Sequence, residues 1–175
     1  MTYLSKYKLP KVKKAAENEP EMSQQTIFFD KIRGKKYGQF SNLASRKIEI
    51  DGKSYPTAEH YFQSKKYEGK TYEEFIRVAS GKRGRDATRY GTRKGESVQR
   101  EDWEQVKDSI METAVMAKFT QHHDLMQLLL DTGCSEIVYD SPTDYYWGIG
   151  SDGMGKNMLG RILMKVRWEI ATSVH

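Results

Sequence analysis

The sequence predicts a single α+β domain in which helices dominate and a small antiparallel sheet joins them. Three observations predict this class. Residues 103–119 carry apolar side chains at spacings of three and four, which is typical of an amphipathic helix. Residues 158–170 repeat that pattern. Residues 47–55 alternate apolar and polar side chains around Asp51-Gly52, a dipeptide that favours a hairpin turn.

The chain length fits one domain with one core. At 175 residues, it falls within the roughly 100–200 residues typical of a domain. Its 11% aromatic content is too high for a disordered chain, although 30% of the residues are charged. Residues 1–25 hold five lysines and three glutamates without apolar periodicity, so they predict a flexible basic N-terminal arm before a domain at 26–175.

The first half of that domain contains strands and then short helices. Residues 26–30 predict a buried strand, and the 47–55 hairpin completes the small antiparallel sheet. Thr57 is the expected N-cap of a helix over 58–67. Thr71 and Glu74 have the spacing of a capping box, which predicts the start of the next helix.

The second half is mostly helical. After Asp102 we expect a helix over 103–119, then one over 124–130 that ends near Gly133, a strand over 135–139 and a final helix over 158–170. The final helix has one apolar stripe that predicts its core face: Leu159, Ile162, Leu163, Val166 and Ile170.

Composition excludes several classes of protein. No apolar run approaches the roughly 20 residues that span a bilayer, and the N-terminus lacks the apolar centre of a signal peptide, so no membrane association is expected. Cys134 is the only cysteine, which excludes an intramolecular disulfide and a cysteine-based zinc site and is consistent with the reducing cytoplasm. The four histidines show no ligand spacing, so we predict no metal.

The positive charge is local. The stretch 81–100 has seven basic and two acidic residues, an excess equal to the net charge of +5 of the whole chain. Such a concentration suits a polyanion such as nucleic acid, whereas a solvated charge run is the ordinary alternative.

The segment 144–157 is rich in glycine and leads into the final helix. Its backbone N–H groups and the helix dipole predict binding of a diphosphate, and Trp147 beside them can stack on a base. Gly150–Lys156 spells the start of a P-loop, but Asn157 replaces the Ser or Thr that holds magnesium, and residues 143–147 just before it do not have the pattern of a buried parallel strand, so an NTPase is rejected. A purely structural turn remains the alternative.

Glu59 lies in the first turn of the helix after Pro56, where the helix dipole favours negative charge. That placement suits a base, a nucleophile or a group that stabilises a cation, while a carboxylate that merely satisfies the dipole is the common alternative. Gln63 shares its face, and Lys66 extends that face by another turn.

A loop before the hairpin offers further polar groups. Ser41 and Asn42, which follow Phe40, can contact a base or a ribose, although such residues more often cap turns. Lys35 and Lys36 can contact phosphate, or a lysine can form a Schiff base with an opened sugar; two solvated lysines are the default.

Together these segments resemble the NADAR (YbiA-like) family. The motifs that carry the resemblance run from about residue 26 to the C-terminus in matching order and spacing: Tyr37–Asn42, Asp51–Gln63, Trp103–Val106, Ala117–Phe119, Asp144–Gly148, Gly155–Asn157 and Leu159-Gly160. The resemblance implies an α+β fold and N-glycosidase activity without a metal or redox cofactor. It also implies functional roles for Glu59, Trp103, Asp144 and Trp147.

Two substrate classes follow from the resemblance. One is ADP-ribosylated guanine in DNA or nucleotides, which the concentrated positive charge favours; the other is a phosphoribosylamino-pyrimidine intermediate of riboflavin synthesis. A module that binds ADP-ribose or NAD without cleaving it is a third possibility. The catalytic set is expected to be Glu59, Asp144, Trp147 and Trp103, and the substrate-binding set Lys36, Phe40, Ser41, Asn42, Gln63, Gly148, Gly155 and Asn157. The residues predicted to bind the phosphates of nucleic acid are Lys82, Arg83, Arg85, Arg89 and Arg93.

Overall fold

A computed structural model describes residues 25–30, 36–79, 83–92 and 99–173. Within these ranges the fold mixes helices with short strands, and the helices dominate, as predicted. The elements in chain order are β1 (Ile27–Phe29), a 3-10 helix (Lys36–Phe40), β2 (Ile48–Ile50), β3 (Lys53–Tyr55), α1 (Ala58–Lys65), α2 (Thr71–Glu74), a π-helical turn (Phe75–Ala79), α3 (Gly84–Gly91), α4 (Trp103–Gln121), α5 (His123–Leu130), β4 (Ile137–Tyr139) and α6 (Met158–Ser173).

The described residues fall into two compact units. Those between 31 and 118 form the central unit, and those up to residue 30 and from 119 onward form the terminal unit.

In the central unit, the predicted hairpin is confirmed. β2 and β3 are antiparallel, with Ile48 opposite Tyr55 and Ile50 opposite Lys53. Asp51 and Gly52 both have positive φ, 51° and 74°. A two-residue turn with positive φ at both positions matches the right-handed twist of the strands, which explains the Asp-Gly pair. The apolar face of the hairpin packs with α1 and α4 in one buried cluster: Ile48, Ile50, Tyr55, Ala58, Tyr61, Ala114 and Ala117.

A second apolar cluster holds the helices after α1. Tyr67, Ile76 and Ala87 are buried and are flanked by the rings of Tyr72, Phe75 and Tyr90. The predicted capping box at Thr71 and Glu74 is wrong, because the N-cap of α2 is Lys70 and no side chain caps it. Instead, the carboxylate of Glu73 accepts a hydrogen bond from the N–H of Gly69 at 2.8 Å. Helix α3 was not predicted, because its charged residues obscure the apolar pattern.

The terminal unit contains a parallel strand pair. β1 pairs with β4, with Ile27 opposite Ile137 and Phe29 opposite Tyr139. The strand at 26–30 therefore exists but does not join the antiparallel hairpin. Strand periodicity reports that a segment is extended, whereas its partner depends on long-range packing.

Helix α6 packs on this strand pair as its apolar stripe predicts. The five residues of the expected stripe are all buried: Leu159, Ile162, Leu163, Val166 and Ile170. No helix within the described residues is long and apolar enough to cross a membrane. The proposed arm at 1–25 lies almost wholly outside the described residues, so the domain boundary at 26 stays a prediction.

Candidate active site

Glu59 is the central residue of the candidate site, and local hydrogen bonds position it in the first turn of α1. Thr57 caps α1 as predicted, since its side chain accepts a hydrogen bond from the N–H of His60 at 3.3 Å. The His60 ring nitrogen Nδ1 lies 2.8 Å from the same hydroxyl. The N–H of Glu59 donates to the backbone carbonyl of Asn42 at 3.2 Å. The first turn of α1 is thereby tied to the loop that precedes the hairpin.

The carboxylate of Glu59 is asymmetrically bound. Its Oε1 accepts two hydrogen bonds at 2.7 Å, one from Nε2 of Gln63 and one from the hydroxyl of Thr88. Its Oε2 has no hydrogen-bond partner among the described residues. The side chain is buried, with the residue only 8% exposed. One oxygen is therefore held in place, and the other is available to a ligand.

Two further acceptors near Glu59 are buried and unpaired within the described part of the chain: Oδ1 of Asn42 and Oε1 of Gln63. The amide orientation of Gln63 follows from chemistry, because only its NH2 group can donate to the carboxylate. The amide of Asn42 donates from Nδ2 to the sulfur of Met111 at 2.8 Å. A buried acceptor without a donor costs about 1–3 kcal/mol, which a ligand with O–H or N–H groups would recover.

Lys66 adds a cation to this region. Its Nζ lies 5.5 Å from the ring centroid of Trp103 and 5.8 Å from that of Phe62. Burial lowers the pKa of Lys66, while the nearby carboxylates of Glu59 and Glu104 partly raise it. A partly desolvated lysine beside a carboxylate can donate hydrogen bonds or act as an amine nucleophile.

Trp103 is more nearly a core residue than a pocket wall. It is 8% exposed and packs against Phe62, with ring centroids 5.0 Å apart. This ring contact joins α4 to α1.

Lys118 anchors the loop around residues 39–42, which is the predicted substrate loop. This completely buried lysine of α4 donates from Nζ to the backbone carbonyls of Gln39 and Ser41. Burial, with a smaller contribution from the neighbouring charge of Arg46, lowers the pKa of Lys118 to about 7. Phe40 is fully buried, and Ser41 is 4% exposed with its hydroxyl accepting from the N–H of Leu43 at 3.3 Å. Both residues shape the loop.

Lys36 lies at the start of that loop, exposed, with its Nζ 5.1 Å from the ring centroid of Tyr37. Lys35 is outside the described residues.

The basic residues expected to bind phosphate are only partly described. Arg83, Arg85 and Arg89 are exposed on or beside α3, and Arg83 lies 3.5 Å from the carboxylate of Asp86. Lys82 and Arg93 fall outside the described residues.

In the terminal unit, Asp144 holds its own loop together. Its Oδ1 accepts from the N–H of Trp147 at 2.8 Å and from the N–H of Tyr146 at 3.1 Å. The half-buried ring of Trp147 meets that of Tyr146 edge to face, with centroids 5.1 Å apart.

The glycine-rich backbone of this loop is internally bonded. The N–H groups of Gly150, Gly155, Lys156, Asn157, Met158 and Leu159 all donate to carbonyls of the same loop. Gly148 is buried, and a Cβ there would lie 2.8 Å from the carbonyl oxygen of Tyr139. These six N–H groups are already paired, so they lend the predicted anion site no support.

Asn157 has a structural set of partners. Its Oδ1 accepts from the N–H of Tyr139, and its Nδ2 donates to the carbonyl of Ile137, both at 2.9 Å. The side chain therefore bridges the start of α6 to β4, and its positive φ of 51° is one that asparagine tolerates well.

The structure thus groups the predicted residues into two sets. The central unit brings Glu59 together with Gln63 and Asn42, and Trp103 lies beside Lys66. The terminal unit places Asp144, Trp147, Gly148, Gly155 and Asn157 around one loop. Sequence reasoning assigned no role to Thr88, Gly91, Met111 or Lys118, because their contacts span long sequence separations; only Lys118 lies in a motif of the family resemblance, Ala117–Phe119. Among the described residues, no group of three or more His, Cys, Asp or Glu side chains is arranged to hold a metal.

Comparison with known proteins identifies the class of protein to which this fold and site belong. The model of the NADAR domain matches residues 28–171. The chain is 40% identical over 156 residues to N-glycosidase YbiA of Shigella flexneri serotype 5b, an alignment that covers 89% of this chain and 96% of that protein. The chain therefore belongs to the NADAR family.

Two further comparisons refine this result. The NMR structure of the E. coli protein YbiA superposes with a TM-score of 0.75 at 38% identity, covering 87% of this chain and 92% of that one. A riboflavin biosynthesis protein of Vibrio vulnificus is 34% identical over 149 residues, which are 85% of this chain but 39% of that longer protein. These similarities support N-glycosidase function at the level of the bond that is cleaved.

Proposed function

We propose that the protein hydrolyses the bond between the anomeric carbon of a ribose and a nitrogen of a base, and that its substrate is ADP-ribosylated guanine in DNA or nucleotides. The observation that carries the proposal is the Glu59 carboxylate. It is buried, one oxygen is held by Gln63 and Thr88, and the other has no partner among the described residues.

In the proposed reaction, the C–N bond breaks with its electron pair staying on the nitrogen, which takes up a proton, while the sugar becomes cationic and water adds to the anomeric carbon. The transition state resembles an oxocarbenium ion. A fixed carboxylate oxygen in a site shielded from water stabilises that developing charge more strongly than solvent does. Glu59 Oε2 would also be placed to accept a proton from the attacking water.

An unpaired acceptor supports a ribose or base ligand. Oδ1 of Asn42 lacks a donor among the described residues, and a ribose hydroxyl or a base N–H group supplies one. Oε1 of Gln63 is covered by α3, since a Cβ on Gly91 would clash with it. A phosphate group has acceptors only, so Oδ1 of Asn42 would repel it. The site near Glu59 thus suits the sugar and base rather than the diphosphate.

The choice of guanine in nucleic acid rests on charge. Arg85 and Arg89 are exposed on α3, the helix whose Thr88 bonds Glu59. Phosphates flanking a modified guanine would contact these guanidinium groups, whereas a small metabolite has no flanking phosphates.

A second substrate is favoured by one finding. The similar Vibrio protein is named for riboflavin biosynthesis. A phosphoribosylamino-pyrimidine carries the same ribose-to-nitrogen bond and the same donors, so the Glu59 region would accept it as well.

One experiment decides between these substrates. Purified protein is incubated with ADP-ribosylated guanosine in a DNA oligonucleotide, with the free ADP-ribosylated nucleoside, and with the pyrimidine intermediate, and released sugar is measured by chromatography. Release from guanosine supports the proposal, and release from the pyrimidine alone moves the assignment to the second substrate. Binding of ADP-ribose without release from any of the three would indicate a non-catalytic module.

The role of α3 is tested with matched variants. Replacing Arg85 and Arg89 by Gln should flatten the dependence of log affinity on log salt for single-stranded DNA by about 1.4 units, or about 0.7 per lost phosphate contact. The control replaces Arg161 and Lys165, exposed on α6, and removes the same charge. Equal effects of the two pairs would show that the arginines of α3 make no specific contacts. Cleavage of the free nucleoside should not change.

A further inference from the structure

The hydroxyl of Thr88 is the one contact that α3 makes with the Glu59 carboxylate among the hydrogen bonds of the described residues. It lies 2.7 Å from Oε1 of Glu59 and 3.2 Å from the backbone carbonyl of Gly84. A hydroxyl has a single proton, and the shorter, charged acceptor is the stronger one. Thr88 therefore donates to the carboxylate.

The buried face of α3 is built to bring this hydroxyl close. It consists of Gly84, Ala87 and Gly91, with Thr88 partly buried beside them, at spacings of three and four. A Cβ on Gly84 would lie 2.5 Å from the Cα of Leu43, and one on Gly91 would lie 2.7 Å from the Cβ of Gln63. Neither position admits a side chain without movement, so the two glycines let α3 approach α1 and the loop closely.

The two donors to Oε1 come from different helices. Gln63 is on α1, four residues after Glu59, so its bond moves with the helix that carries the carboxylate. Thr88 is 29 residues away in sequence and fixes the carboxylate against a second helix. With Gln63 alone, the carboxylate can still turn about its last torsion angle, which is broad for glutamate. The second donor removes that freedom.

We infer that Thr88 is a positioning residue: it holds Oε1 of Glu59 so that Oε2 is the oxygen presented to the sugar. The inference rests on the proposed function of Glu59 and adds that α3, the helix with the exposed arginines, also sets the geometry of the carboxylate. Thr88 acts through Glu59 and does not touch the substrate.

The kinetic test uses Thr88→Val, which keeps the shape of the side chain and removes its hydroxyl, and Thr88→Ser, which keeps the hydroxyl. The valine variant should lower kcat about tenfold with KM within twofold of wild type, and the serine variant should restore kcat to within about threefold. Thr92→Val is the matched control, because the hydroxyl of Thr92 is exposed and bonds only backbone carbonyls of Thr88 and Arg89. It should leave both constants unchanged.

A loss in Thr88→Val that the serine variant does not restore would overturn the inference, as would a kcat of Thr88→Val within twofold of wild type. A near-normal kcat of Thr88→Val can occur while Glu59→Gln is inactive. That result would contradict the positioning role of Thr88 without contradicting the proposed function.

The hydrogen bond itself is tested without any activity. Thr88→Val should lower the melting temperature less in a Glu59→Ala background than in wild type, since the carboxylate partner is already gone. Equal shifts in the two backgrounds would show that the contact is absent and would overturn the inference. If the wild type cleaves no substrate while the two melting-temperature shifts differ, the hydrogen bond is confirmed, but the proposed function and the positioning role are both wrong.

Discussion

The surroundings of Glu59 and the loop at 144–157 use their polar side chains in opposite ways. Around Glu59, a carboxylate oxygen and the amide oxygens of Asn42 and Gln63 have no partner among the described residues. In the loop, the carboxylate of Asp144 and both polar atoms of Asn157 bond the backbone of their own unit. Buried polar atoms without partners cost stability and are retained where a ligand supplies the missing bond. The comparison supports the proposal that the Glu59 region binds a ligand, whereas the polar side chains of Asp144 and Asn157 stabilise the fold of their loop.

The largest effect is expected at Glu59. Glu59→Gln keeps the shape of the side chain but removes its charge, so turnover should fall at least a hundredfold, a loss of about 2.7 kcal/mol of transition-state stabilisation. Initial rates measure this, and the circular dichroism spectrum and melting temperature serve as folding controls. A rate above about a tenth of wild type would leave the carboxylate a role worth less than about 1.4 kcal/mol and would remove the main support for the proposed reaction.

The next largest effect is expected at Asn157 and concerns the stability of the fold. Asn157→Leu removes two buried hydrogen bonds to β4. It also places leucine, which tolerates positive φ less well than asparagine, at this position. The free energy of unfolding should therefore drop by about 2–4 kcal/mol. Denaturant unfolding measures it. Asn157→Gly relieves the backbone strain and isolates the loss of the hydrogen bonds. A stable Asn157 variant that has lost only substrate binding would reverse the interpretation of this loop and restore the original prediction.

The matched substitution at Asn42 should behave differently. Asn42→Leu removes an unpaired buried acceptor together with one hydrogen bond to the sulfur of Met111, a weak acceptor, so the two effects on folding should nearly cancel. The melting temperature should stay nearly the same, while KM rises about tenfold because the ligand loses its acceptor. Thermal melts and steady-state kinetics on the same preparation test both halves. An unfolded variant, or unchanged KM, would remove Asn42 from the proposed binding set.

A further effect is a pH dependence of the free energy of unfolding at Lys118. The folded pKa of about 7 lies below the ordinary value of 10.5, so the unfolded chain binds more protons between these two values. Stability contributed through Lys118 therefore rises with pH across that window and is lowest below pH 7, where the folded protein must keep a buried ammonium. The free energy of unfolding of wild type should increase relative to Lys118→Met from pH 7 to 10. Parallel profiles for the two proteins would show that Lys118 does not titrate in this range.

Much of the fold was predictable because it rests on local patterns. The stripe of α6, the amphipathic α4, the cap at Thr57 and the Asp51-Gly52 turn are all features of contiguous residues, whose periodicity and backbone preferences act within a few positions. The family resemblance likewise located Glu59, since its motif is a short contiguous run. The motif did not predict which residues form hydrogen bonds with the carboxylate of Glu59.

The sequence by itself determined most of the helices, the hairpin and the position of Glu59, because helix periodicity, capping and turn geometry depend on neighbours along the chain. Only the tertiary structure decided the rest: the parallel pairing of β1 with β4, the approach of α3 through Gly84 and Gly91, the hydroxyl of Thr88 on the carboxylate, and the buried ammonium of Lys118 beneath the loop. These contacts join residues from 28 to 110 positions apart. Their energies come from close packing and from pairing buried polar groups, which no local sequence pattern encodes.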